Sequence, residues 1–169
     1  MMKIGVTQKI DINNYGERCD VLDQRWTHLL NYLEVVCVPI PNQFKSIEIF
    51  IKNTNLNGII FTGGENQVKY GGKSPERDSI EYQIIEYCII NSIPIFGVCR
   101  GMHIILDYFG VDLQHCVLTL PGMGGIVLEP GRHGRWLGCT AARLCRRRHG
   151  RRRRQTDGGR RRLDVGHRD

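Results

Sequence analysis

The sequence predicts an α/β fold with a doubly wound, mostly parallel sheet and helices on both faces. Two observations support this prediction. Apolar segments of strand type alternate with helix-length segments through residue 110, and these strands lack the polar alternation of a half-exposed sheet. Right-handed crossovers between such strands place helices on both faces of the sheet. Functional groups in folds of this kind lie at the carboxyl ends of the strands.

The first strand is predicted at residues 3–10 (KIGVTQKI), and a loop follows at residues 13–16 (NNYG). Between Cys19 and Leu33, apolar residues recur at spacings of three and four, which predicts one face of a helix. This face consists of Val21, Leu22, Trp26, Leu29, Leu30 and Leu33. We expect Trp26 to pack in the core rather than to contact a substrate.

The next predicted strand is residues 35–40 (VVCVPI), which ends at prolines. A second helical pattern runs from Phe44 to Ile51 and leads to a strand at residues 58–61 (GIIF). The turn at residues 62–64 (TGG) ends that strand.

A third helix begins near Ser74, where a capping hydroxyl, a first-turn proline and a carboxylate follow one another. Its apolar face is Ile80, Ile84, Ile85, Cys88 and Ile89. A fourth strand at residues 94–98 leads to a helix at residues 100–109, which Gly110 ends.

The net charge of +7 is distributed unevenly along the chain. Residues 1–120 carry 10 Lys and Arg against 13 Asp and Glu, whereas residues 121–169 carry 14 against 4. The later part also contains one Ile, no Asn and no Lys, and all 14 of its basic residues are Arg. We therefore predict one domain, truncated at its C-terminal side, at residues 1–118, and an Arg/Gly-rich tail that is disordered or non-native at residues 119–169.

Three interpretations of the tail stay open. It is an arm that binds nucleic acid nonspecifically through its arginines, a disordered tail, or the product of a frameshift or of a foreign sequence that replaced the native end. We favour the frameshift, because a change from AT-rich to GC-rich codons would remove Ile, Asn and Lys together and enrich Arg and Gly.

The cysteines and the N-terminus favour a cytoplasmic protein. Seven cysteines include no Cys-x-x-Cys pair, and the first ten residues do not form a signal segment. No apolar run approaches the roughly 20 residues that a membrane span needs. We therefore predict no contact with a membrane and expect most of these thiols to be small core side chains.

The strongest functional motif is residues 97–101 (GVCRG), which has the pattern of a nucleophile elbow with cysteine in place of serine. A nucleophile on a tight turn between strand and helix needs small residues two positions before and after it, and Gly97 and Gly101 satisfy this. The helix N-terminus favours the thiolate of Cys99. The sequence therefore predicts that Cys99 is a nucleophile rather than a buried structural cysteine.

Attack of a thiolate on a carbonyl creates an oxyanion, which preorganised amides stabilise. The amide of Arg100 is one candidate donor because it follows the nucleophile. The turn at Gly63 and Gly64 ends a strand that we expect to be adjacent and can supply the second amide.

These residues resemble the class I glutamine amidotransferases, in the branch that contains the gamma-glutamyl hydrolases. The resemblance lies in residues 62–67 (TGGENQ) and 74–110, with the GVCRGM motif, and covers about residues 3–116. Residues 4–42 are most similar to small bacterial members found with surface-polysaccharide pathways, of the gamma-glutamyl-CDP-amidate hydrolase type and, more distantly, the gamma-glutamyl-gamma-aminobutyrate hydrolase type. The implied fold is flavodoxin-like.

The resemblance implies hydrolysis of a gamma-glutamyl amide or glutamine through a thioester on Cys99, with Gly64 and Arg100 forming the oxyanion hole. The substrate is a small molecule, and a synthetase that accepts ammonia is a possible partner. His103 and Glu65 are implied substrate-binding residues, although the branch usually has glutamine at the position of His103. No cofactor and no metal are implied, since His103 and Cys99 alone would not make a zinc site.

Relatives complete the cysteine with a histidine and a carboxylate spaced H-x-E on a late strand. Beyond Cys116 we identify no strand-type segment that could supply this pair. His167 and Asp169 have the right spacing and are weak candidates, because they stand at the terminus. The activity of this chain is therefore open, and a catalytically incomplete binding or scaffold protein, with a tail that contacts nucleic acid, is the alternative.

Arg77 and Glu81 stand four residues apart on the third predicted helix and match the PERD…E pattern of the family. We predict a structural role for them, as an ion pair or as an anchor for the preceding loop.

Overall fold

A sheet built around four parallel strands organises the fold. In the computed structural model, residues 1–111 are described, together with the backbone of residues 125–130 and 136–137. The strands of this sheet are β1 (Lys3–Thr7), β4 (Val36–Ile40), β5 (Gly58–Phe61), β6 (Ile95–Val98), β7 (Gly125–Pro130) and β8 (Trp136–Leu137). Their order is β4-β1-β5-β6-β7-β8, and the first four are parallel. The prediction of a doubly wound α/β fold is confirmed.

In the described part of the chain, four α-helices connect or follow these strands. They are α1 (Gln24–Tyr32), α2 (Ile47–Thr54), α3 (Pro75–Ile90) and α4 (Arg100–Tyr108). The chain passes from β1 outward to β4 and then back across β1 to β5 and β6. Right-handed crossovers in these opposite directions place α1 on one face of the sheet and α2 and α3 on the other.

The core lies between the sheet and its helices and is dominated by isoleucine. Its fully buried members include Ile59 and Phe61 on β5, Ile84 on α3, Ile95 on β6 and Ile104 on α4. Burial of side chains of this size stabilises a fold by about 1.5–3 kcal/mol each. These buried residues come from both central strands and from the helices that pack on them. The carboxyl ends of the strands therefore extend from a well-packed core.

The region between β1 and α1 differs from the prediction. The first strand ends at Thr7, and β2 (Lys9–Ile12) pairs with β3 (Arg18–Val21) as an antiparallel hairpin. The predicted loop forms its turn, where the side-chain oxygen of Asn13 accepts hydrogen bonds from the amides of Tyr15 and Glu17 at 2.9 and 3.0 Å. The helical spacing at Cys19–Leu22 was therefore misleading.

The helix α1 begins only after Asp23, whose side chain accepts from the amide of Arg25 at 2.9 Å. The predicted apolar face of this helix is also partly wrong. Leu30 is buried, but Leu29 is 47% exposed and Leu33 is 55% exposed. Trp26 is half-buried. One helix turn thus contacts the edge strand β4 while much of α1 stays at the surface.

Ser74 precedes α3 as predicted, but its hydroxyl makes no capping hydrogen bond to the helix. Pro75 occupies the first turn, and Glu76 and Asp78 place two carboxylates there. The positive end of the helix dipole is therefore matched by acidic side chains and not by a serine cap.

The prediction that no strand follows Cys116 is wrong. The strand β7 pairs antiparallel with β6 and covers the edge of the parallel strands, and β8 pairs with β7. The sequence signal for β7 is the short apolar run Ile126–Leu128, which is weak because it stands among glycines in a segment with the composition of a tail. The other residues of the predicted tail lie outside the described part of the chain.

Candidate active site

Cys99 stands on the tight turn between β6 and α4, in the conformation that a nucleophile elbow requires. Its φ of 52° and ψ of −114° are strained for a residue with a side chain. Its side chain is exposed, in contrast to Cys88 on α3, which is buried. Burial raises the pKa of the Cys88 thiol to about 12. The elbow therefore presents one accessible thiol at the N-terminus of a helix.

The two glycines that flank the elbow are there because the backbone comes too close for a side chain. A Cβ on Gly101 would lie 2.1 Å from the carbonyl oxygen of Phe61, at the end of β5. A Cβ on Gly97 would lie 2.6 Å from the carbonyl oxygen of Gly101. The spacing of small residues predicted from the sequence thus has a steric cause in this structure.

The turn at Gly63 and Gly64 lies beside Cys99. A Cβ placed on Gly63 would be 3.4 Å from the Cβ of Cys99 and 3.9 Å from its Sγ. Gly64 has a φ of +137°, which a residue with a side chain rarely adopts. The structure therefore brings the turn and the thiol together, as the sequence predicted for strands that are adjacent.

The carboxyl ends of β1 and β5 are joined by side chains just before this turn. The hydroxyl of Thr7 accepts from the amide of Thr62 at 3.1 Å, and the hydroxyl of Thr62 donates to the carbonyl of Thr7 at 2.8 Å. Both residues are buried. The turn therefore begins from a fixed point at the centre of the sheet.

Arg77, which is fully buried, fastens the turn to α3. One terminal nitrogen donates to the carbonyl oxygens of Thr62 and Gly63 at 3.0 and 3.1 Å. Its Nε donates to Glu81 at 3.0 Å. Arg77 and Glu81 thus form the predicted ion pair, and Arg77 anchors the preceding loop. Both side chains are buried and not at the surface.

Glu81 also binds the side chain of Arg100, the residue that follows Cys99. The same guanidinium binds Asp78, whose other oxygen accepts from the amide of Val68 at 2.7 Å. Sequence reasoning did not identify this role for the Arg100 side chain or for Asp78. The signal was available in the PERD…E spacing, since positions 78 and 81 share a helix face.

Glu65, a predicted substrate-binding residue, directly follows the turn. Its Oε2 accepts from Arg77 at 3.0 Å, and its side chain is 26% exposed. Its Oε1 has no hydrogen-bond partner among the described residues. One carboxylate oxygen is therefore bound by Arg77, and the other is buried without a hydrogen-bond partner among the described residues.

His103 lies one helical turn after Cys99, and its amide donates to the Cys99 carbonyl at 3.1 Å. The side chain is half-buried. Burial lowers the pKa of His103, and the nearby charge of Arg100 lowers it further. The ring is therefore neutral at neutral pH.

We expect His103→Gln to make the stability of the protein less sensitive to acid. Histidine in the unfolded chain binds a proton near pH 6.5, whereas His103 in the fold does so only at lower pH. The wild type should therefore lose stability from this group as the pH falls below about 6.5. Urea unfolding at a series of pH values between 8 and 5 measures the effect. Parallel curves for the wild type and the variant would contradict it.

The β2–β3 hairpin forms a wall next to the turn. Its Arg18 binds Glu76 at 2.5 Å and the Lys73 carbonyl at 3.0 Å, and its Asp20 accepts from the buried side chain of Asn42 at 2.6 Å. A cleft of about 400 Å³ lies between the hairpin and residues 65–74, and Glu65 lines it. The hairpin thus borders the candidate site without belonging to the main sheet.

Several further predictions concern residues outside the described part of the chain, among them the weak candidates His167 and Asp169. Within residues 1–111, the Cys99 thiol makes no hydrogen bond to a histidine. No group of three or more metal-ligating side chains occurs in the described segments. No helix there is long and apolar enough to cross a membrane.

Comparison with known proteins identifies a family whose sequence model matches this chain. The family model of peptidase C26 matches residues 4–123. A gamma-glutamyl-CDP-amidate hydrolase of Campylobacter jejuni is 32% identical over 119 residues, which are 68% of this chain and 59% of that protein. The chain therefore spans less than two thirds of the length of this relative.

Two other curated relatives are glutamine-dependent by name. A putative glutamine amidotransferase of Schizosaccharomyces pombe is 39% identical over 74 residues, or 37% of this chain and 29% of that protein. A glutamine-hydrolyzing GMP synthase of Finegoldia magna is 42% identical over 103 residues, or 61% of this chain and 18% of that protein. The names of these two relatives refer to glutamine, whereas the name of the Campylobacter jejuni relative refers to a gamma-glutamyl-CDP-amidate.

Proposed function

The chain belongs to the peptidase C26 family, and on that premise we propose that it is a cysteine-dependent hydrolase of gamma-glutamyl amides. The observation that carries the proposal is the exposed Cys99 on a strained elbow, with the Gly63–Gly64 turn packed against it. The name of the Campylobacter jejuni relative supports a gamma-glutamyl substrate. The surface-polysaccharide pathway implied by residues 4–42, and a cytoplasmic location, are part of the proposal.

In the proposed reaction the Cys99 thiolate attacks the carbonyl carbon of the gamma-glutamyl amide. The amides of Arg100 and Gly64 donate hydrogen bonds to the oxyanion that forms. The C–N bond breaks, the amine leaves with the proton that the Cys99 thiol gave up when the thiolate formed, and a glutamyl thioester remains on Cys99. Water then attacks the thioester, glutamate is released, and the thiol is restored.

We propose that the cleft beside the hairpin holds part of the substrate. Glu65 lines this cleft and directly follows Gly64, so a group bound there is close to the oxyanion turn. Glu65 Oε1 is an acceptor without a partner among the described residues, and in this proposal it accepts a hydrogen bond from an ammonium or hydroxyl group of the bound substrate. His103, neutral and one turn from Cys99, is the second proposed contact. The substrate is a small molecule in this proposal, and no cofactor takes part.

A glutaminase that supplies ammonia to a synthetase is the second candidate. The similarity to glutamine-hydrolyzing GMP synthases favours it. The two candidates differ in the amine that leaves. An enzyme that prefers gamma-glutamyl amides of larger amines over glutamine acts as a hydrolase, whereas strong preference for glutamine favours the synthetase partnership.

The test is to incubate the full chain with glutamine and a set of gamma-glutamyl amides and to measure glutamate. Acid quenching and mass spectrometry should find a glutamyl group on the peptide that contains Cys99. Glutamate release without a Cys99 adduct, or no reaction with any of these substrates, would contradict the proposal.

A further inference from the structure

Glu81 lies between two arginines that serve the two sides of the proposed oxyanion hole. Its Oε1 accepts from the Nε of Arg77 at 3.0 Å, and its Oε2 accepts from the guanidinium of Arg100. Glu81 and Arg77 are fully buried, and Arg100 is 3% exposed. The Glu81 carboxylate is therefore enclosed by the protein, and water cannot take the place of its two arginine partners.

Each arginine is connected to one of the two amides of the proposed oxyanion hole. Arg77 binds the carbonyls of Thr62 and Gly63, and because the Gly63 carbonyl shares a planar peptide unit with the Gly64 amide, it fixes the orientation of that amide. Arg100 supplies the other proposed amide from its own backbone, and Glu81 holds its side chain. The two amides are far apart in sequence, but a single carboxylate connects them.

We propose that Glu81 is a positioning residue that holds the Gly64 and Arg100 amides at the separation an oxyanion requires. The inference rests on the proposed function, because it concerns the same site. A buried ion pair adds little net stability compared with apolar side chains of the same volume. Stability alone therefore does not explain why Glu81 binds two arginines. What Glu81 supplies is a fixed orientation of two turns, because each of its oxygens accepts a charge-assisted hydrogen bond from a different arginine.

The inference predicts that Glu81→Gln slows reactions that form an oxyanion and spares those that do not. With p-nitrophenyl acetate, Cys99 Sγ bonds to the acetyl carbon through an oxyanion, and p-nitrophenolate leaves with its bonding electrons. With iodoacetamide, Sγ displaces iodide from a saturated carbon, so no oxyanion forms. We expect acetylation of Cys99 to fall at least about tenfold, because loss of one donor costs about 10²–10³-fold and misplacement costs less. Alkylation should change less than twofold.

Both rates are measured on the Cys99 peptide by mass spectrometry, so that other cysteines do not contribute. Glu86→Gln is the matched control, because it is the same change at an exposed position of the same helix. It should leave both rates unchanged. Equal loss of acetylation and alkylation in Glu81→Gln would show an effect on the thiol or the fold and would overturn the inference, as would no loss of either.

Because removing a charge from a buried network can prevent folding, a second variant is needed. Asp78→Asn weakens the hold on Arg100 from the partly exposed side of the network. We expect about a threefold loss of acetylation with alkylation unchanged, and rates equal to the wild type would overturn the inference. If Glu81→Gln loses acetylation selectively while the wild type hydrolyses no gamma-glutamyl amide, the proposed function fails and this inference stands.

Discussion

Replacing Cys99 by alanine is expected to reduce glutamate release from a gamma-glutamyl amide by about 10⁴-fold or more. Loss of the nucleophile removes the thioester route, and comparable deletions in covalent hydrolases have effects of this size or larger. Initial rates of glutamate formation measure the change, and the glutamyl adduct on the Cys99 peptide should disappear.

The control is Cys37→Ala, the same substitution on the edge strand β4. Cys37 lines a different surface cavity, next to Asn31 and Val35. The substitution Cys37→Ala should therefore leave the rate of glutamate release within about twofold of the wild type. The thermal unfolding of Cys99→Ala should match that of the wild type, because the lost thiol is exposed. Equal glutamate release by the wild type and Cys99→Ala would contradict the proposed function.

Gly101→Ala is expected to destabilise the protein by about 3 kcal/mol or more, at the upper end of the usual cost of overpacking. The added Cβ would lie 2.1 Å from the Phe61 carbonyl oxygen and 2.5 Å from its carbonyl carbon. These are backbone atoms, so no rotamer change can relieve the contact, and α4 must move away from β5. Urea unfolding measures the loss.

Gly110→Ala is the control, at the glycine that follows the C-cap of the same helix. Gly110 has a φ of +71° and no atom within 4 Å of an added Cβ, so alanine there meets only the backbone cost, about 1–2 kcal/mol. A loss in Gly101→Ala no larger than in Gly110→Ala would contradict the steric argument. Because α4 carries Cys99 at its start, we also expect Gly101→Ala to lose activity at temperatures where it remains folded.

The main sheet could be predicted from the sequence because its strands are apolar without alternation and its helices fill the intervals between them. The strand at residues 58–61 was predicted at its observed bounds. The β2–β3 hairpin could not be predicted, because both strands are short and their apolar and polar side chains do not alternate regularly. Its stability comes from distant partners such as Asn42 and Glu76, which a local pattern does not show.

For the candidate site, the motif around Cys99 predicted both the turn and the need for glycine. The buried state of Arg77 was not predictable, because a charged pair four residues apart on a helix is usually a surface feature. Which carboxylates surround each arginine depends on how α3 and α4 pack, and that is a tertiary property. The proposed nucleophile is therefore visible in the sequence, whereas the contacts that support its turn are not.

The β2–β3 hairpin shares no strand with the main sheet and is held to it by side chains. Residues 9–21 can therefore be lengthened, shortened or replaced while the register of β1, β5 and β6 stays the same. If relatives differ in the amine they release, the hairpin is the exchangeable part in which that difference can evolve, with the chemistry of the elbow left intact.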